Sequence, residues 1–134
     1  MNMKLELVSI PVSDVDKSKS FYANTLGFHV DHDVEPGNGL RVVQLTPPGS
    51  ACSIVIGTGM GLNPKDGIVR NTHLVVEDIN VMHDQLANRG LSISDINDMG
   101  GGVKYAYFAD PDGNTWALQE INQSARQEFA GPDL

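Results

Sequence analysis

The sequence has little cysteine, few positive charges and no long apolar run, and each scarcity excludes a class of protein. Among 134 residues only Cys52 is a cysteine, which excludes an internal disulfide and a Cys-x-x-Cys metal site and favours a reducing, cytoplasmic location. Nine Lys and Arg stand against 17 Asp and Glu, and the net charge of −8 argues against nucleic acid or an anionic membrane as a partner. No apolar run approaches the length of a transmembrane helix, and the start, Met1-Asn-Met-Lys4, leads into a strand pattern rather than a signal peptide. We therefore expect one globular domain over residues 1–134.

The most informative stretch is 108–120, which predicts a β-hairpin. Pro111 fixes φ at one corner of a tight turn, and Gly113 accepts a positive φ at its exit. β-forming side chains flank this turn on both sides. The predicted strands are 103–109 and 115–121, and an earlier hairpin is predicted with strands at 40–46 and 52–56.

The two hairpins belong to a longer internal repeat. The predicted helix caps Asp14 and Asp78 are 64 residues apart, and the turn glycines Gly49 and Gly113 have the same separation. Each half also follows the order strand, amphipathic helix, strand and hairpin, which predicts two fused βαβββ modules. The predicted boundaries are module one at about 4–57, a glycine-rich linker at about 57–67, module two at about 68–122 and a C-terminal tail at 122–134. We expect the polar tail to be loosely ordered or docked on a partner subunit.

Turn residues and periodicity set the remaining element boundaries. The helices should end near Gly27 and Gly90, because glycine readily takes the left-handed conformation that stops a helix. The other predicted strands are 4–12, 28–34, 68–76 and 91–96. His29 and His32 lie three residues apart in one of these strands, so we expect them on opposite faces.

Together these features are similar to a known family. The stretch 11–22 (Pro-Val-Ser-Asp-Val-Asp-Lys-Ser-Lys-Ser-Phe-Tyr), Leu26-Gly-Phe28 and Asp110-Pro-Asp-Gly-Asn114 resemble the vicinal oxygen chelate superfamily, also called the glyoxalase/bleomycin-resistance/dioxygenase group. The resemblance covers residues from about 4 to 122. It implies an α+β fold in which curved mixed sheets surround a ligand cavity, with helices on the convex face, and it implies a homodimer.

The resemblance also implies where a metal would bind. Metal enzymes of the superfamily carry His, Gln or Glu on the first and last strands of each module, seven residues before the helix cap and four after the turn glycine. Here these positions hold Leu7, Ser53, Asn71 and Ala117. None of the four is a usual ligand of a first-row divalent metal. We therefore predict no metal and no other cofactor, which puts the metal-dependent activities of the superfamily in doubt.

Side-chain alternation along the strands predicts the residues that line the cavity. If Asn71 and Ala117 face inward, His73 and Gln119 share their face, and the repeat adds Ser53. The inner strand of each hairpin adds Arg41 with Val43, and Tyr105 with Tyr107. The predicted ligand-binding residues are Arg41, Ser53, Asn71, His73, Tyr105, Tyr107, Ala117 and Gln119. An inward Arg41 would anchor a carboxylate or phosphate. The opposite face should pack under the helices through Ile54, Ile56, Ala106, Phe108, Trp116 and Leu118.

His73 leaves three interpretations open. It can be a hydrogen-bonded wall or core residue, a ligand-binding or acid/base group, or a metal ligand. The favoured function is a protein that binds a small, partly apolar molecule without a catalytic metal. One alternative is a lyase or isomerase that uses His73 as its catalytic acid/base, either without a metal or with an atypical one. A second alternative is a metal-dependent enzyme whose ligands lie elsewhere in the chain.

Overall fold

The computed structural model describes residues 1–122, which form two units. Of the described residues, the first unit contains 1–69 together with the turn 110–114, and the second contains 70–109 with 115–122. Apart from Asn122, the predicted C-terminal tail lies outside the described residues. Within residues 1–122, no helix has both the length and the apolar character needed to cross a membrane.

The first unit holds one helix and a four-stranded mixed sheet. Its elements are β1 (Leu7–Ser9), α1 (Val15–Ser20), β2 (His29–Gly37), β3 (Leu40–Thr46) and β4 (Ser53–Thr58). A π-helical turn, Phe21–Thr25, continues α1, and a 3-10 turn, Pro64–Asp66, follows β4. The strand order is β1-β4-β3-β2, with β1 parallel to β4 and the other pairs antiparallel.

The second unit repeats this arrangement. Its elements are β5 (Thr72–Val75), α2 (Ile79–Asn88), β6 (Asn97–Asp98), β7 (Val103–Ala109) and β8 (Thr115–Ile121). The strand order is β5-β8-β7-β6, with β5 parallel to β8. The same order in both sheets confirms the α+β class and the two fused βαβββ modules.

Both helices begin at the predicted caps. The carboxylate of Asp14 accepts the backbone N–H of Lys17, and that of Asp78 accepts the N–H of Val81, each at 3.1 Å. These bonds satisfy an N–H that the first helical turn cannot pair internally. The 64-residue spacing of the two aspartates therefore marks the same structural event in each module.

Each sheet buries the face on its helix side. In the first unit Val43, Leu45 and Ile56 are fully buried, together with Tyr22 of the helical segment. In the second, the rings of Phe108 and Trp116 stack with their centroids 6.3 Å apart. All six residues predicted to lie under the helices are buried, and Ser53, Val55 and Ala117 of the opposite face are buried as well.

One predicted strand, 91–96, is wrong. The strand that pairs with β7 has two residues, Asn97–Asp98, and lies in a segment predicted as a loop. Ser94 explains the difference, because its hydroxyl accepts the N–H of Tyr107 at 2.8 Å and its N–H donates to the carbonyl of Tyr107. The Ser94 hydroxyl thus accepts a hydrogen bond from β7 that a backbone carbonyl would accept if the neighbouring strand were continuous. β1 and β5 are also shorter than the predicted strands at 4–12 and 68–76, and β2 extends to Gly37.

Candidate functional site

The strand register shows which residues occupy equivalent positions on the first and last strands of each sheet. In the first sheet Leu7 lies opposite Ser53, and in the second sheet His73, not Asn71, lies opposite Ala117. The assignment of Asn71 to this position is wrong by two residues. The reason is that Leu7 precedes its helix cap by seven residues and His73 precedes its cap by five.

The uncovered face of the second sheet gathers most of the predicted site. Tyr107 pairs with Ala117 and Tyr105 with Gln119 across the antiparallel β7–β8 pair, so these four side chains share one face. His73, opposite Ala117 on β5, joins them. We call this set, His73, Tyr105, Tyr107, Ala117 and Gln119, the aromatic face.

Ring contacts hold the aromatic side chains of this face together. Tyr105 and Tyr107 stack with centroids 6.0 Å apart and planes 7° from parallel. The ring of His73 meets Tyr105 edge-on at 5.6 Å. Tyr107 is 41% exposed and the neighbouring Val75 is 54% exposed, so this surface is open to a ligand.

Hydrogen bonds fix the polar edges of the aromatic face. His73 Nδ1 lies 2.6 Å from the backbone carbonyl of Asn71. Gln119 Nε2 donates to the hydroxyl of Tyr105 at 2.7 Å. Asn71 has a φ of +56°, a conformation that Asn tolerates better than most residues, and its N–H donates to Thr115 Oγ1 at 2.7 Å. Asn71 contacts the aromatic face through its backbone carbonyl, which lies against His73 Nδ1.

The corresponding face of the first sheet is polar. The hydroxyls of Ser53 and Thr46 are 2.6 Å apart, and Gln44 Nε2 donates to Ser53 Oγ at 3.3 Å. The hydroxyl of Thr46 also donates to the carboxylate of Asp31. We call Asp31, Gln44, Thr46 and Ser53 the polar face. Of these, the sequence identified only Ser53.

The predicted inward orientation of Arg41 and Val43 is wrong. Val43 lies opposite Ile56, on the helix side, whereas Gln44 lies opposite Val55. The first hairpin spans eight residues between its last paired positions, Leu45 and Ile54, and the second spans five between Ala109 and Thr115. An odd difference of three exchanges the two faces of β3 relative to β7, because side chains alternate with a period of two.

Arg41 is instead the centre of an ion-pair network inside the first unit. Its guanidinium donates to Asp33 from Nε at 3.1 Å and Nη2 at 3.0 Å, and to Asp16 from Nη1 at 2.8 Å. Lys19 Nζ also reaches Asp33 at 2.7 Å. Hydrogen bonds from Arg41 and Lys19 hold the pKa of Asp33 well below its usual range, and Asp33 and Asp16 raise the pKa of Arg41. The charge of Arg41 is thus neutralised by neighbouring carboxylates.

His29 and His32 share a face, contrary to the expectation from their spacing. His29 pairs with Thr46 and His32 with Gln44, with a β-bulge between them at Asp31. The bulge adds one residue to β2, so the side chain of His32 lies on the same face of the sheet as that of His29. His29 Nε2 lies 3.8 Å from Asp31 Oδ1 at the margin of the polar face. No residue pattern in the sequence marks this bulge.

The comparisons with known proteins agree with the fold. The family model of the Glyoxalase/Bleomycin resistance protein/Dioxygenase superfamily matches residues 4–118. The chain belongs to this superfamily. No curated protein gives a significant match.

Several solved structures of the superfamily are similar over nearly their whole length. TnmS3, an antibiotic binding protein from Streptomyces sp. CB03234, is 31% identical, with 90% of this chain and 98% of TnmS3 covered and a TM-score of 0.77. A glyoxalase/bleomycin resistance protein from the same Streptomyces is 32% identical, with 86% and 98% covered and a TM-score of 0.71. A superfamily member from Sphaerobacter thermophilus DSM 20745 is 29% identical, with 89% and 98% covered and a TM-score of 0.74.

The residues at the superfamily's metal positions do not fit a metal. In the first sheet the positions hold Leu7 and Ser53, and in the second sheet His73 and Ala117. Only the imidazole of His73 is a strong donor to first-row divalent metals. The carboxylate of Glu120, on the strand next to His73, accepts the N–H of Ile79 at the start of α2 and so lies on the helix side. Across residues 1–122 no group of three or more His, Cys, Asp or Glu could hold a metal ion.

The Asp-Pro-Asp-Gly-Asn motif of the superfamily has a structural role in the first unit. The Asp110 carboxylate is only 5% exposed and accepts the Tyr22 hydroxyl at 2.7 Å and Asn114 Nδ2 at 2.8 Å. It also accepts the backbone N–H groups of Asp112 and Asn114, each at 2.9 Å. The Asp112 carboxylate accepts the N–H and the hydroxyl of Ser13 at 3.0 and 2.6 Å. Stabilisation of the turn and its attachment to Ser13 therefore account for both carboxylates.

An open cavity of about 310 Å³ in the first unit involves none of the predicted site residues. It lies where β4 leads into the glycine-rich linker. Its lining residues are Val12, Ser13, Gly57, Thr58, Gly59, Leu62, Asn63 and Pro64. The linker glycines shape a surface depression there, and no titratable side chain lines it.

Proposed function

We propose that this chain binds a small, partly apolar molecule on the aromatic face of its second unit. The observation that carries the proposal is the stacked pair Tyr105 and Tyr107, which presents ring surface on a sheet face that the helix of that unit does not cover. Exposed aromatic surface of this kind favours stacking with a planar ligand. Ala117, which pairs with both His73 and Tyr107, adds no competing polar group.

Two further observations support this class of ligand. TnmS3, which shares 31% identity over nearly its whole length, is an antibiotic binding protein. The net charge of −8 attracts cationic compounds over long range, and tyrosine rings add a cation–π attraction at contact. Partly apolar, cationic aromatic compounds therefore form the first panel to screen.

The experiment compares binding by wild type with binding by Tyr107→Ala. Compounds from a panel of aromatic antibiotics and cationic dyes such as ethidium are ranked by the increase they cause in melting temperature, and affinities follow by calorimetry. Removing the exposed ring should weaken the best compound about tenfold. Val81→Ala is the matched control, since Val81 is an apolar residue of α2 that is 52% exposed. Equal affinity in both variants, or a panel without any stabilising compound, contradicts the proposal.

We also propose that ligand binding needs no divalent metal. The residues at the superfamily's metal positions support this, because leucine, serine and alanine accompany a single histidine there. A chelator should leave affinity for the best compound unchanged, and elemental analysis of protein purified without chelator should find metal far below one ion per chain. A stoichiometric metal whose removal abolishes binding would overturn this part.

A second candidate function is a metal-independent lyase or isomerase with His73 as the acid/base. The observation that favours it is the bond between His73 Nδ1 and the Asn71 carbonyl, which leaves Nε2 as a base on an exposed face. Such an enzyme would remove a proton from carbon next to a substrate carbonyl. Exchange of substrate C–H for deuterium in D₂O, abolished by His73→Ala and insensitive to chelator, would establish it. Binding without any exchange favours the binding protein.

We infer a homodimer from the exposed N-terminal arm. Met1, Met3, Leu5 and Leu7 alternate with polar or charged residues and remain 36–116% exposed. An extended arm with one apolar edge is suited to pack on a second copy of the chain. Light scattering should give twice the mass of one chain, and Leu5→Asp should shift it toward the monomer. The charge balance and the single cysteine remain the basis for proposing a cytoplasmic protein without a nucleic-acid partner.

A further inference from the structure

We propose that His73 and Tyr105 act as specificity residues, which select planar aromatic ligands carrying a hydrogen-bond donor at one point and a separate carbonyl-type acceptor at another. This inference rests on the proposed function, because it concerns the same aromatic face. It adds the polar chemistry that a stacking surface alone does not specify.

The tautomer of His73 follows from its hydrogen-bond partner. A backbone carbonyl can only accept, and Nδ1 lies 2.6 Å from the carbonyl oxygen of Asn71. Nδ1 therefore carries the proton, and in the neutral ring Nε2 keeps its lone pair. Because His73 is exposed, a ligand can reach this acceptor. The left-handed Asn71 backbone, held by Thr115 Oγ1, keeps the carbonyl in place.

The role of Tyr105 follows in the same way. Gln119 donates an amide proton to the phenolic oxygen at 2.7 Å, so one acceptor position of that oxygen is occupied. The phenol proton then has no role in this bond and is available to a ligand acceptor. The side chain is half-buried between His73 and Tyr107, whose rings restrict its rotation.

The two groups lie side by side with opposite polarity. The ring centroids of His73 and Tyr105 are 5.6 Å apart, and Tyr107 continues the surface as a stacking platform. A ligand that stacks there is therefore expected to donate to His73 Nε2 and to accept from Tyr105 Oη. Neighbouring Ala117 offers no polar side-chain atom that could substitute for either one.

The test combines four naphthalene probes with variants that each remove one polar atom. The probes are 2-naphthol with a donor, 2-acetylnaphthalene with an acceptor, 6-acetyl-2-naphthol with both, and 6-acetyl-2-methoxynaphthalene, in which the donor is methylated. His73→Phe removes the acceptor and keeps a ring, and Tyr105→Phe removes only the hydroxyl. Affinities are measured by fluorescence titration, with Tyr107→Ala and Val81→Ala alongside.

Each variant should weaken only the probes that use the group it lacks. His73→Phe should weaken 2-naphthol and 6-acetyl-2-naphthol about three- to tenfold and leave 2-acetylnaphthalene unchanged. Tyr105→Phe should weaken all three acetyl probes without affecting 2-naphthol. In wild type, methylation of the 6-acetyl-2-naphthol hydroxyl should cost a similar factor, a result that depends on no variant folding correctly.

The outcomes separate this inference from the proposed function. If Tyr107→Ala weakens every probe while His73→Phe and Tyr105→Phe act on all probes equally or on none, the aromatic face binds ligands and the donor–acceptor selection is wrong. If Tyr107→Ala has no more effect than Val81→Ala, or no probe binds wild type, both proposals fail.

Discussion

The two sheets share one strand order and present opposite chemistry on the face away from the helix. The first carries the polar face, in which Thr46 and Ser53 hydroxyls bond to each other and onward to Asp31 and Gln44. The second carries the aromatic face, with stacked tyrosines beside His73. A duplicated backbone plan therefore does not imply a duplicated site.

Hairpin length contributes to the difference in addition to residue substitution. With eight residues in the first connection and five in the second, Gln44 rather than Arg41 occupies the place that corresponds to Tyr105. Arg41 consequently turns to the helix side, where Asp16 and Asp33 bind it. The three-residue difference in hairpin length therefore places the Arg41 side chain on the helix side of its sheet.

The largest expected effect comes from replacing one residue of the second hairpin turn with its counterpart from the first hairpin. Asp110→Thr introduces the residue that the first hairpin has 64 positions earlier, at Thr46. Four donors lose a buried carboxylate, so the free energy of unfolding should fall by about 3 kcal/mol. Urea denaturation measures the loss, with the exposed Asp66→Thr as the control. A loss below about 1 kcal/mol would show that the turn holds its shape without Asp110.

The next largest effect is expected at Asn71, whose left-handed backbone conformation places the carbonyl that binds His73. Asn71→Val places a β-branched residue at φ +56° and should cost about 1–2 kcal/mol. Asn71→Gly relieves the backbone requirement and should remain within about 0.5 kcal/mol of wild type. Similar melting temperatures for the two variants would contradict the left-handed conformation and with it the placement of the Asn71 carbonyl.

The Arg41 network should make a smaller, pH-dependent contribution. Asp33→Asn should cost about 1 kcal/mol at pH 7, since both partners are partly exposed. The folded-state pKa of Asp33 is depressed, so this stabilisation is present above the unfolded pKa of about 3.9 and is lost as the pH falls below it. Denaturation curves of wild type and variant should therefore converge in acid. A gap near pH 3 as wide as the gap at pH 7 would assign the stabilisation to something other than this charge, because the gap should narrow steadily once the pH falls below the unfolded pKa.

The smallest effect separates the two faces functionally. Thr46→Val removes the hydroxyl that links Asp31 to Ser53 and should lower stability by about 1 kcal/mol or less. Affinity for the aromatic probes should not change, because none of these residues belongs to the second sheet. Weaker probe binding in this variant would extend the ligand site to the polar face.

Much of the fold could be predicted because strong local signals repeat. Asp14 and Asp78 begin helices where the 64-residue spacing places them, and the second hairpin has its predicted limits. Alternation from Ala117 also identified the neighbours Tyr105, Tyr107 and Gln119 correctly. These features depend on caps, turns and a period of two, all of which are visible within a few residues.

The remaining features depend on register, which a single sequence does not display. The bulge at Asp31 shifts the register by one position, and the longer first hairpin shifts it by three. The shorter connection after His73 shifts it by two. Odd shifts changed faces and misplaced Arg41 and His32, whereas the even shift kept His73 on the predicted face. The polar face was missed for the same reason, since the predicted inward residues of β3 were Arg41 and Val43 rather than Gln44 and Thr46.

Mapping a bound probe by NMR tests the central claim most directly. In chelator-containing buffer, 6-acetyl-2-naphthol is titrated into isotopically labelled protein and the backbone amide shifts are followed. We expect saturable changes centred on His73, Tyr105, Tyr107 and Ala117. Changes confined to Gln44, Thr46 and Ser53, or binding that appears only when a divalent metal is added, would contradict it.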